Sequence, residues 1–589
     1  MDEQVLDIAY QIRLFQNLFF VGMMYLSIML FSRRKWSSSA ITFLAGTLWL
    51  FYIPSISYII GNFGMDSFDE AKGFDLKEAF FWLSTIIRSI KPPHDTYLYF
   101  IGYLVVSATT YYLLSRILRG AAFEKNRFFI QKIIAAILIL CSLVVVFRDS
   151  IWLFIRNSNE LETAKTNFDN QIPAVHRSGN NIDIIVYIGE SLSVFDMGVY
   201  GYPRNTTPNL TRMAREQRNI LVFHNVFSTH THTSQSLLEA LSFPVDRSEN
   251  FLPIIRRKRV SLVDMIRKSG LQTRLISNQG MTGTWNEASA IIFRNAEKTF
   301  GVKSHIFGNN EEILKKPWDH EFFMKQLVLD KNHGDSSTPV VTFLHSYAGH
   351  GPYLDNIPEE FRKPLDNYFI VNASKRITES DADVKDQVEG YDSAMRYADF
   401  TVSQVIDRIK NLKKPTVLVM LSDHGESVYT ARGHDSARFI HEMARVPFIV
   451  YFNDAAIKKY PDLYSRYRKL SETHETATLA QLSSVIADLS GVRLSNSSDS
   501  TKYLTPLIGE PCMHPPIIVR EVKSGLTYVN LNKTKPLIPE NFGYRISDAT
   551  DAATAEFVRS RGVKIKPYYR NGSDESFEHQ RRNQLIYGD

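Results

Sequence analysis

Hydrophobic and polar positions divide the chain into two parts with different rhythms. Up to residue 156, apolar residues run in long unbroken stretches; beyond it, short apolar runs alternate with amphipathic ones. Four stretches, near 14–31, 41–61, 97–115 and 133–155, are long enough to cross a hydrocarbon core of about 30 Å, and they predict an α-helical transmembrane unit over 1–156. The stretch 75–93 has apolar residues at helical spacing but carries Lys77, Glu78 and Arg88. It reads as an interfacial helix, with a fifth span as the alternative. Arg33, Arg34 and Lys35 follow the first span, and Arg116, Arg119, Lys125, Arg127 and Lys132 lie between the third and fourth. Positive loops stay cytoplasmic, so everything beyond 155 is expected on the opposite side. The acidic start MDEQVLD, with no small-residue cleavage site after the first span, predicts a retained anchor rather than a cleaved signal.

Residues 157–181 are polar and aperiodic and read as a linker. After it, IDIIVYIGE (182–190) has the continuous apolar character of a strand buried on both faces. QTRLIS (272–277), PVVTFLHS (339–346), PTVLVMLSD (415–423) and VPFIVYF (446–452) repeat that character. Helical patterns lie between or after them at 261–270, 320–330, 384–412 and 475–491. The alternation predicts an α/β sandwich with a mostly parallel central sheet over 182–589, its functional residues gathered at the strands' carboxyl ends. The segment 492–589 adds β-like pieces, IIVREV and LTYVNL, and a charged tail.

Composition changes this picture in two respects. The mean hydropathy of -0.17 averages an apolar quarter with a polar remainder, so it does not describe either part. The net charge of +6 is mild for 589 residues, and no dense basic run carries interleaved aromatics. A nucleic-acid partner is therefore not expected, whereas basic residues facing anionic lipid headgroups are. The two cysteines, Cys141 in the fourth predicted span and Cys512 in the outer unit, are not expected to pair. The outer unit must then rest on its own core or on metal.

Candidate chemistry follows the apolar strands in four places: Glu190 after IVYIG, the run Ser228 to Ser234 with His230 and His232 inside it, His345 and His350 in LHSYAGHG, and Asp423 with His424 in LSDHGES. The last is the sharpest, since a carboxylate followed at once by imidazole on a tight turn offers Zn²⁺ an oxygen and a nitrogen at about 2.0–2.2 Å. His434 and His441 follow close enough to return to the same rim. Thr233 leads SQSLLEALSF, whose Leu237, Leu238 and Leu241 form one apolar helix face. Its hydroxyl would stand at a helix N-terminus, where backbone N–H groups favour a phosphoryl oxygen. The plainer reading is that Thr233 or Ser234 only caps that helix. His230 and His232, two apart on an extended stretch, would share a face as a metal pair.

Taken in order, IGES (188–191), YGYPRNTTPNL (200–210), FHNVFSTHTHTSQSLLEALSF (223–243), HSYAGHGPY (345–353), YDSAMRYADF (391–400) and LSDHGES (421–427) resemble the motifs of the membrane-bound phosphoethanolamine transferases of the alkaline phosphatase and sulfatase superfamily. Within that group the chain most resembles the transferases that modify the lipopolysaccharide core, since it lacks cysteines around Thr233. The resemblance implies zinc, as one catalytic ion or two, with Glu190, Thr233, Asp423 and His424 as ligands. It implies Thr233 as nucleophile, chosen over Thr231 by alignment through Asn225, Ser228 and Ser236. His350 and His434 would bind substrate phosphate or a second zinc, with His345 accompanying His350. Asn278 and Gln279 would touch phosphate, and His232 phosphate or acceptor, while His230 would be solvated. The implied activity is transfer of phosphoethanolamine from phosphatidylethanolamine, through a covalent threonine intermediate, to an envelope glycan or lipopolysaccharide. The implied location is the bacterial inner membrane, multi-pass, with the catalytic unit in the periplasm. The group's five spans bear on 75–93. A phosphoglycerol transferase and a membrane-anchored phosphodiesterase or sulfatase are the alternatives, although no C/S-x-P/A-x-R sequence stands at the nucleophile position.

Overall fold

A computed structural model describes residues 167–168, 175–177, 179–202, 204–245, 254–280, 291–302, 317–327, 338–362, 370–372, 382–428, 433–434, 436, 441–494, 507–510, 517–522, 525–530 and 544–546. The chain separates into two compact units, Met1–Glu160 with Ile306–Asn310 and Leu161–His305 with Glu311–Asp589, and every described residue belongs to the second. The four predicted spans, the stretch 75–93 and both cysteines lie outside the described residues. Among the described residues, no helix is long and apolar enough to cross a membrane.

The second unit is built on a seven-stranded sheet: β1 (Asp183–Gly189), β2 (Ile220–Phe223), β3 (Gln272–Gly280), β4 (Lys298–Val302), β5 (Val340–His345), β6 (Thr416–Ser422) and β7 (Phe448–Phe452), in the order β2-β7-β6-β1-β5-β3-β4. Side chains alternate across it. Ile184, Val186 and Ile188 of β1 enter one core, together with Leu237 and Leu238 of α2 (Thr233–Ala240) and Leu262, Val263 and Ile266 of α3 (Leu262–Lys268). Ile185 and Tyr187 enter the other, with Phe323 of α4 (Asp319–Gln326) and Met395, Val402 and Ile406 of α5 (Ala382–Ile409). Helices therefore cover both faces, which is why the strands read as unbroken apolar runs. Each fully buried aliphatic side chain contributes about 1.5–3 kcal/mol.

The sheet is mixed. β6 pairs parallel with β1, β1 with β5, and β3 with both β5 and β4, but β7 runs antiparallel to β6 and β2. Six of the seven strands share one direction, as a mostly parallel sheet requires, and the reversal of VPFIVYF has a physical cause. Past β6, the Asp423 N–H is bonded to the Gly189 carbonyl and the Gly425 N–H to the Met443 carbonyl at 2.9 Å, so β7 starts at the edge where β6 ends and runs back from it, with Leu421 facing Phe448. Apolar runs carry no sign of direction. Beyond the sheet, IIVREV and LTYVNL form an antiparallel hairpin, Ile517–Val522 with Gly525–Asn530.

A buried ion pair ties the segment after β1 to α5. Arg204, fully buried, donates to Asp392 at 2.7 Å and to Glu389 at 2.8 Å, and the Tyr202 hydroxyl donates to the same Asp392 oxygen at 3.0 Å. Removing only the cation leaves a buried carboxylate unpaired, which costs roughly 3–5 kcal/mol. Arg204→Ala should lower the unfolding free energy of the full chain in detergent by about that amount, read from urea midpoints; a loss no larger than a surface substitution gives would contradict it.

Candidate active site

Strand register brings the sharpest sequence elements together. Gly189 pairs with Ser422, so Glu190 and Asp423 leave neighbouring parallel strands side by side. The Asp423 N–H donates to the Gly189 carbonyl at 3.1 Å, fixing the exit. Both carboxylates are buried, at 1 % and 0 % exposure. Ser191 sits in the left-handed region at φ 57, a costly conformation for a side-chain-bearing residue, and is held there from both sides. Its N–H donates to Asp423 Oδ1 at 2.9 Å and its hydroxyl to Glu190 Oε1 at 2.8 Å. Two glycines permit the crowding. A Cβ on Gly349 would collide with the Glu190 carbonyl, and one on Gly425 with the Glu442 carbonyl.

His424 completes the group. Its Nδ1 lies 2.9 Å from the Gly425 carbonyl, which can only accept, so the proton sits on Nδ1 and Nε2 offers a lone pair. That Nε2 is 3.5 Å from Asp423 Oδ2 and 3.7 Å from Glu190 Oε1. Burial pushes its pKa down to about 4 against the pull of Asp423, so the imidazole is neutral. Burial, and next the Glu190 charge, raise the pKa of Asp423. Among the described residues, Asp423 Oδ2 has no hydrogen-bond partner although it is buried. Two buried carboxylates, a neutral imidazole and an orphaned oxygen, with ligand atoms of Glu190, Asp423 and His424 all within 4.8 Å of one another, fit a divalent cation.

Thr233 reaches this group from the other side. Its Oγ1 stands 3.3 Å from His424 Nε2 and 3.5 Å from Glu190 Oε2. Thr233 is the first residue of α2; the capping residue is His232, which makes no side-chain cap bond, so the hydroxyl of Thr233 is not spent on capping. Ser236, one turn on, donates to the Asp423 carbonyl and ties the helix to the loop that carries Asp423 and His424. Thr231 is committed elsewhere, its hydroxyl 2.6 Å from Ser436 Oγ.

The remaining predicted residues are distributed around the group. His434 Nδ1 bonds Glu426 at 2.9 Å, and its ring lies 4.5 Å from that of His424 and 5.4 Å from that of His232. Burial opposes its charge, but the bond to Glu426 and the charges of Glu426, Glu190 and Asp423 together raise the pKa. A second possible ligand group, His424 with Glu426 and His434, competes with the first for the single free lone pair of His424. His232 donates from Nδ1 to the Thr231 carbonyl at 2.9 Å and meets Ser436 Oγ at 3.4 Å through Nε2. His345 is buried with both ring nitrogens unpartnered among the described residues, and burial lowers its pKa to about 4; it belongs to neither ligand group. His350 stacks on Tyr347, centroids 4.6 Å apart, and belongs to neither group. His441 packs on Phe227 at 6.3 Å. Asn278 donates to Asp319 at 2.6 Å and to the Pro317 carbonyl at 2.9 Å, and Gln279 to Glu190 at 2.6 Å.

His230 is a correction: expected in solvent, it is 2 % exposed with its Nε2 unpartnered. A polar run looks solvated in sequence, yet here it threads beneath the start of α2. The sequence also did not single out Glu426, Ser346 or Asp319, and it used Ser236 only to align the nucleophile segment. Glu426 lay inside a motif already noted, whereas Asp319 signalled only an acid in a helix's first turn.

Residues 182–492, more than half of the chain, match the family pattern described as Sulfatase. The chain belongs to the sulfatase family. This sulfatase-family chain is 25% identical over 361 residues to the phosphoethanolamine transferase EptC of Escherichia coli (strain K12), covering 59% of this chain and 58% of that protein. It is 26% identical over 294 residues to the phosphoethanolamine transferase EptA of Helicobacter pylori (strain ATCC 700392 / 26695), covering 47% of this chain and 49% of that protein. The match thus spans less than two thirds of these curated relatives. Among solved structures, the C-terminal periplasmic domain of EcEptC from Escherichia coli in complex with Zn aligns with a TM-score of 0.49 and 22% identity, over 61% of this chain and 96% of that one.

Two outcomes follow. Zinc added to chelator-stripped protein should raise its melting temperature, because a ligand that binds only the folded state stabilises it, and Asp423→Asn should abolish most of that rise; an equal rise in the variant would place the ion elsewhere. His230, held neutral mainly by burial with a pKa lowered to about 3, binds fewer protons folded than unfolded. Stability should therefore fall as pH drops from about 6.5 toward about 3, by up to about 1.4 kcal/mol per pH unit for this one group. His230→Gln should flatten that limb in denaturant titrations, and an unchanged slope would show that His230 titrates normally.

Proposed function

We propose that the chain is a zinc-dependent phosphoethanolamine transferase that takes its group from phosphatidylethanolamine and passes it, through Thr233, to a hydroxyl of an envelope glycan or lipopolysaccharide. The observation that carries this reading is a half-buried hydroxyl, not used as a cap, 3.3 Å from the free lone pair of a neutral histidine and 3.5 Å from a buried carboxylate. The names of the E. coli and H. pylori relatives supply the transferred group. Residues 1–156 would span the inner membrane, 157–181 link, and 182–589 form the periplasmic catalytic unit. A membrane anchor suits a donor that is itself a lipid.

Glu190, Thr233, Asp423 and His424 would hold zinc, which when bound supplies the positive charge that lowers a hydroxyl's pKa and neutralises phosphoryl oxygens. Thr233 Oγ1 attacks the phosphorus, and the bond from phosphorus to the diacylglycerol oxygen breaks with its electron pair on that oxygen. The proton Thr233 loses is balanced by the one diacylglycerol gains. An acceptor hydroxyl then attacks the same phosphorus, the bond to Oγ1 breaks, and Thr233 recovers a proton. His434, with Nδ1 on Glu426 and its ring beside His424, would relay the proton within each half, from Thr233 to the diacylglycerol oxygen and then from the acceptor hydroxyl to Thr233. His232, next to Thr233 in the chain with its Nε2 3.4 Å from Ser436 Oγ, would meet the acceptor or the phosphate.

Incubation of the full chain in detergent with headgroup-labelled phosphatidylethanolamine should add one phosphoethanolamine group to the protein, mapped by peptide mass to Thr233. Thr233→Ala, still folded, should carry none. An adduct on that variant would move the nucleophile, and label acquired from phosphatidylglycerol alone would replace the donor.

A further inference from the structure

Gln279 lies at the carboxyl end of β3, where the pairing with β4 slips between Ser277 and Gly280. Irregularities of this kind re-aim side chains, and they gather beside functional sites. The Gln279 side chain is 7 % exposed, so each of its polar atoms needs a partner. Its Nε2 donates to Glu190 Oε2 at 2.6 Å and to the Ser346 carbonyl at 2.8 Å. Both partners are obligate acceptors. Turning the amide over would set an oxygen against a carboxylate and a carbonyl, so the network itself fixes which atom is nitrogen. Both N–H bonds are thereby used, leaving none for a phosphate oxygen.

Gln279 is held in turn by residues that never touch the ligand group. The Ser346 N–H donates to the Ile188 carbonyl at 2.9 Å, locking β5 to the strand that carries Glu190. The Ser346 hydroxyl donates to Asp319 Oδ2 at 2.6 Å, and the N–H groups of Tyr347 and Ala348 reach the same oxygen at 3.0 Å each. Asp319 Oδ1 receives the Asn278 amide at 2.6 Å. Asp319, Ser346 and Asn278 are all at most 2 % exposed. The contacts run from the first residue of α4 through the β5 turn to one oxygen of Glu190. Ser191 supplies the donor to the other oxygen at 2.8 Å. Oε2 also faces the Thr233 hydroxyl at 3.5 Å, so a donor from Gln279 on one oxygen and one from Ser191 on the other hold the carboxylate against rotation, with the Thr233 side of Oε2 and a lone pair of Oε1 turned to the cation site.

We propose that Gln279 is a positioning residue for Glu190, fixing the rotation of that carboxylate for the metal ion, and that Asp319 acts through Ser346 and Asn278 to hold Gln279 in place. This rests on the metal reading above and assigns Asn278 and Gln279 to support of a ligand in place of direct contact with phosphate. Partners of metal ligands at this remove typically carry 10–100-fold in metal affinity, about the scale expected here.

The test measures zinc affinity of the full chain in detergent by competition with a chromophoric chelator, alongside the visible absorption spectrum of the cobalt-substituted protein. Gln279→Leu removes both donors at similar volume, and Gln279→Met does so with an unbranched chain should leucine disturb folding; the melting temperature of the metal-free protein reports folding for each. Weakening of zinc by about 10–100-fold in a folded variant, with altered cobalt bands, is the expected result. Asp319→Asn should weaken zinc in the same direction by a smaller factor. Unchanged affinity and an unchanged cobalt spectrum in either folded Gln279 variant would overturn this proposal alone. Failure of the wild-type chain to take up zinc would overturn it together with the metal reading on which it rests.

Discussion

Glu190 and Asp423 are two carboxylates buried at one point, and the surrounding structure is arranged around the cost of holding them there. Unpaired, such charges are among the most unfavourable things a protein interior can contain. The raised pKa of Asp423, caused first by burial and then by Glu190, registers that cost. The hydrogen bonds around them reduce it but leave one Asp423 oxygen without any donor among the described residues. A cation would remove the remainder, and its charge would also reverse the local acid–base balance on which a hydroxyl nucleophile depends.

This constraint explains features that otherwise look unrelated. Parallel pairing of β1 with β6 is what delivers both acids to one place, since adjacent parallel strands end on the same edge. β7 is then antiparallel because it starts at the edge where β6 ends, with Gly425 bonded to the Met443 carbonyl and Leu421 facing Phe448. Gly349 and Gly425 occur where any side chain would strike a backbone carbonyl of the site. Ser191 accepts a left-handed backbone because that posture turns one N–H and one hydroxyl onto the two acids. α2 is fastened by Ser236 to the Asp423 carbonyl, which ties the helix that starts at Thr233 to the loop that carries Asp423 and His424.

Much of this was legible in the sequence, for reasons that can be stated residue by residue. IDIIVYIGE and PTVLVMLSD read as buried strands because both faces are covered by helices, and an acid directly after such a strand must emerge at the edge. Thr233 could be picked out because an apolar helix face begins just after it. The direction of β7 was not legible, since direction depends on where the preceding loop goes. The helix Pro461–Glu472 was passed over among charged residues whose neighbours only the fold reveals. The burial of His230 was hidden by the polar residues on either side. The distribution of donors was the least accessible: that Gln279 spends both N–H groups on Glu190 and Ser346 depends on an irregular pairing between Ser277 and Gly280, and nothing in ISNQG announces it.

The central claim is that the buried pair Glu190 and Asp423 exists to hold a cation beside the Thr233 hydroxyl. Anomalous diffraction from crystals of the zinc-loaded chain, collected on both sides of the zinc absorption edge, tests it most directly. A single strong peak bounded by Glu190, Asp423, His424 and Thr233 is predicted. A peak confined to Glu426 and His434, or no peak at the two carboxylates under saturating zinc, would contradict it.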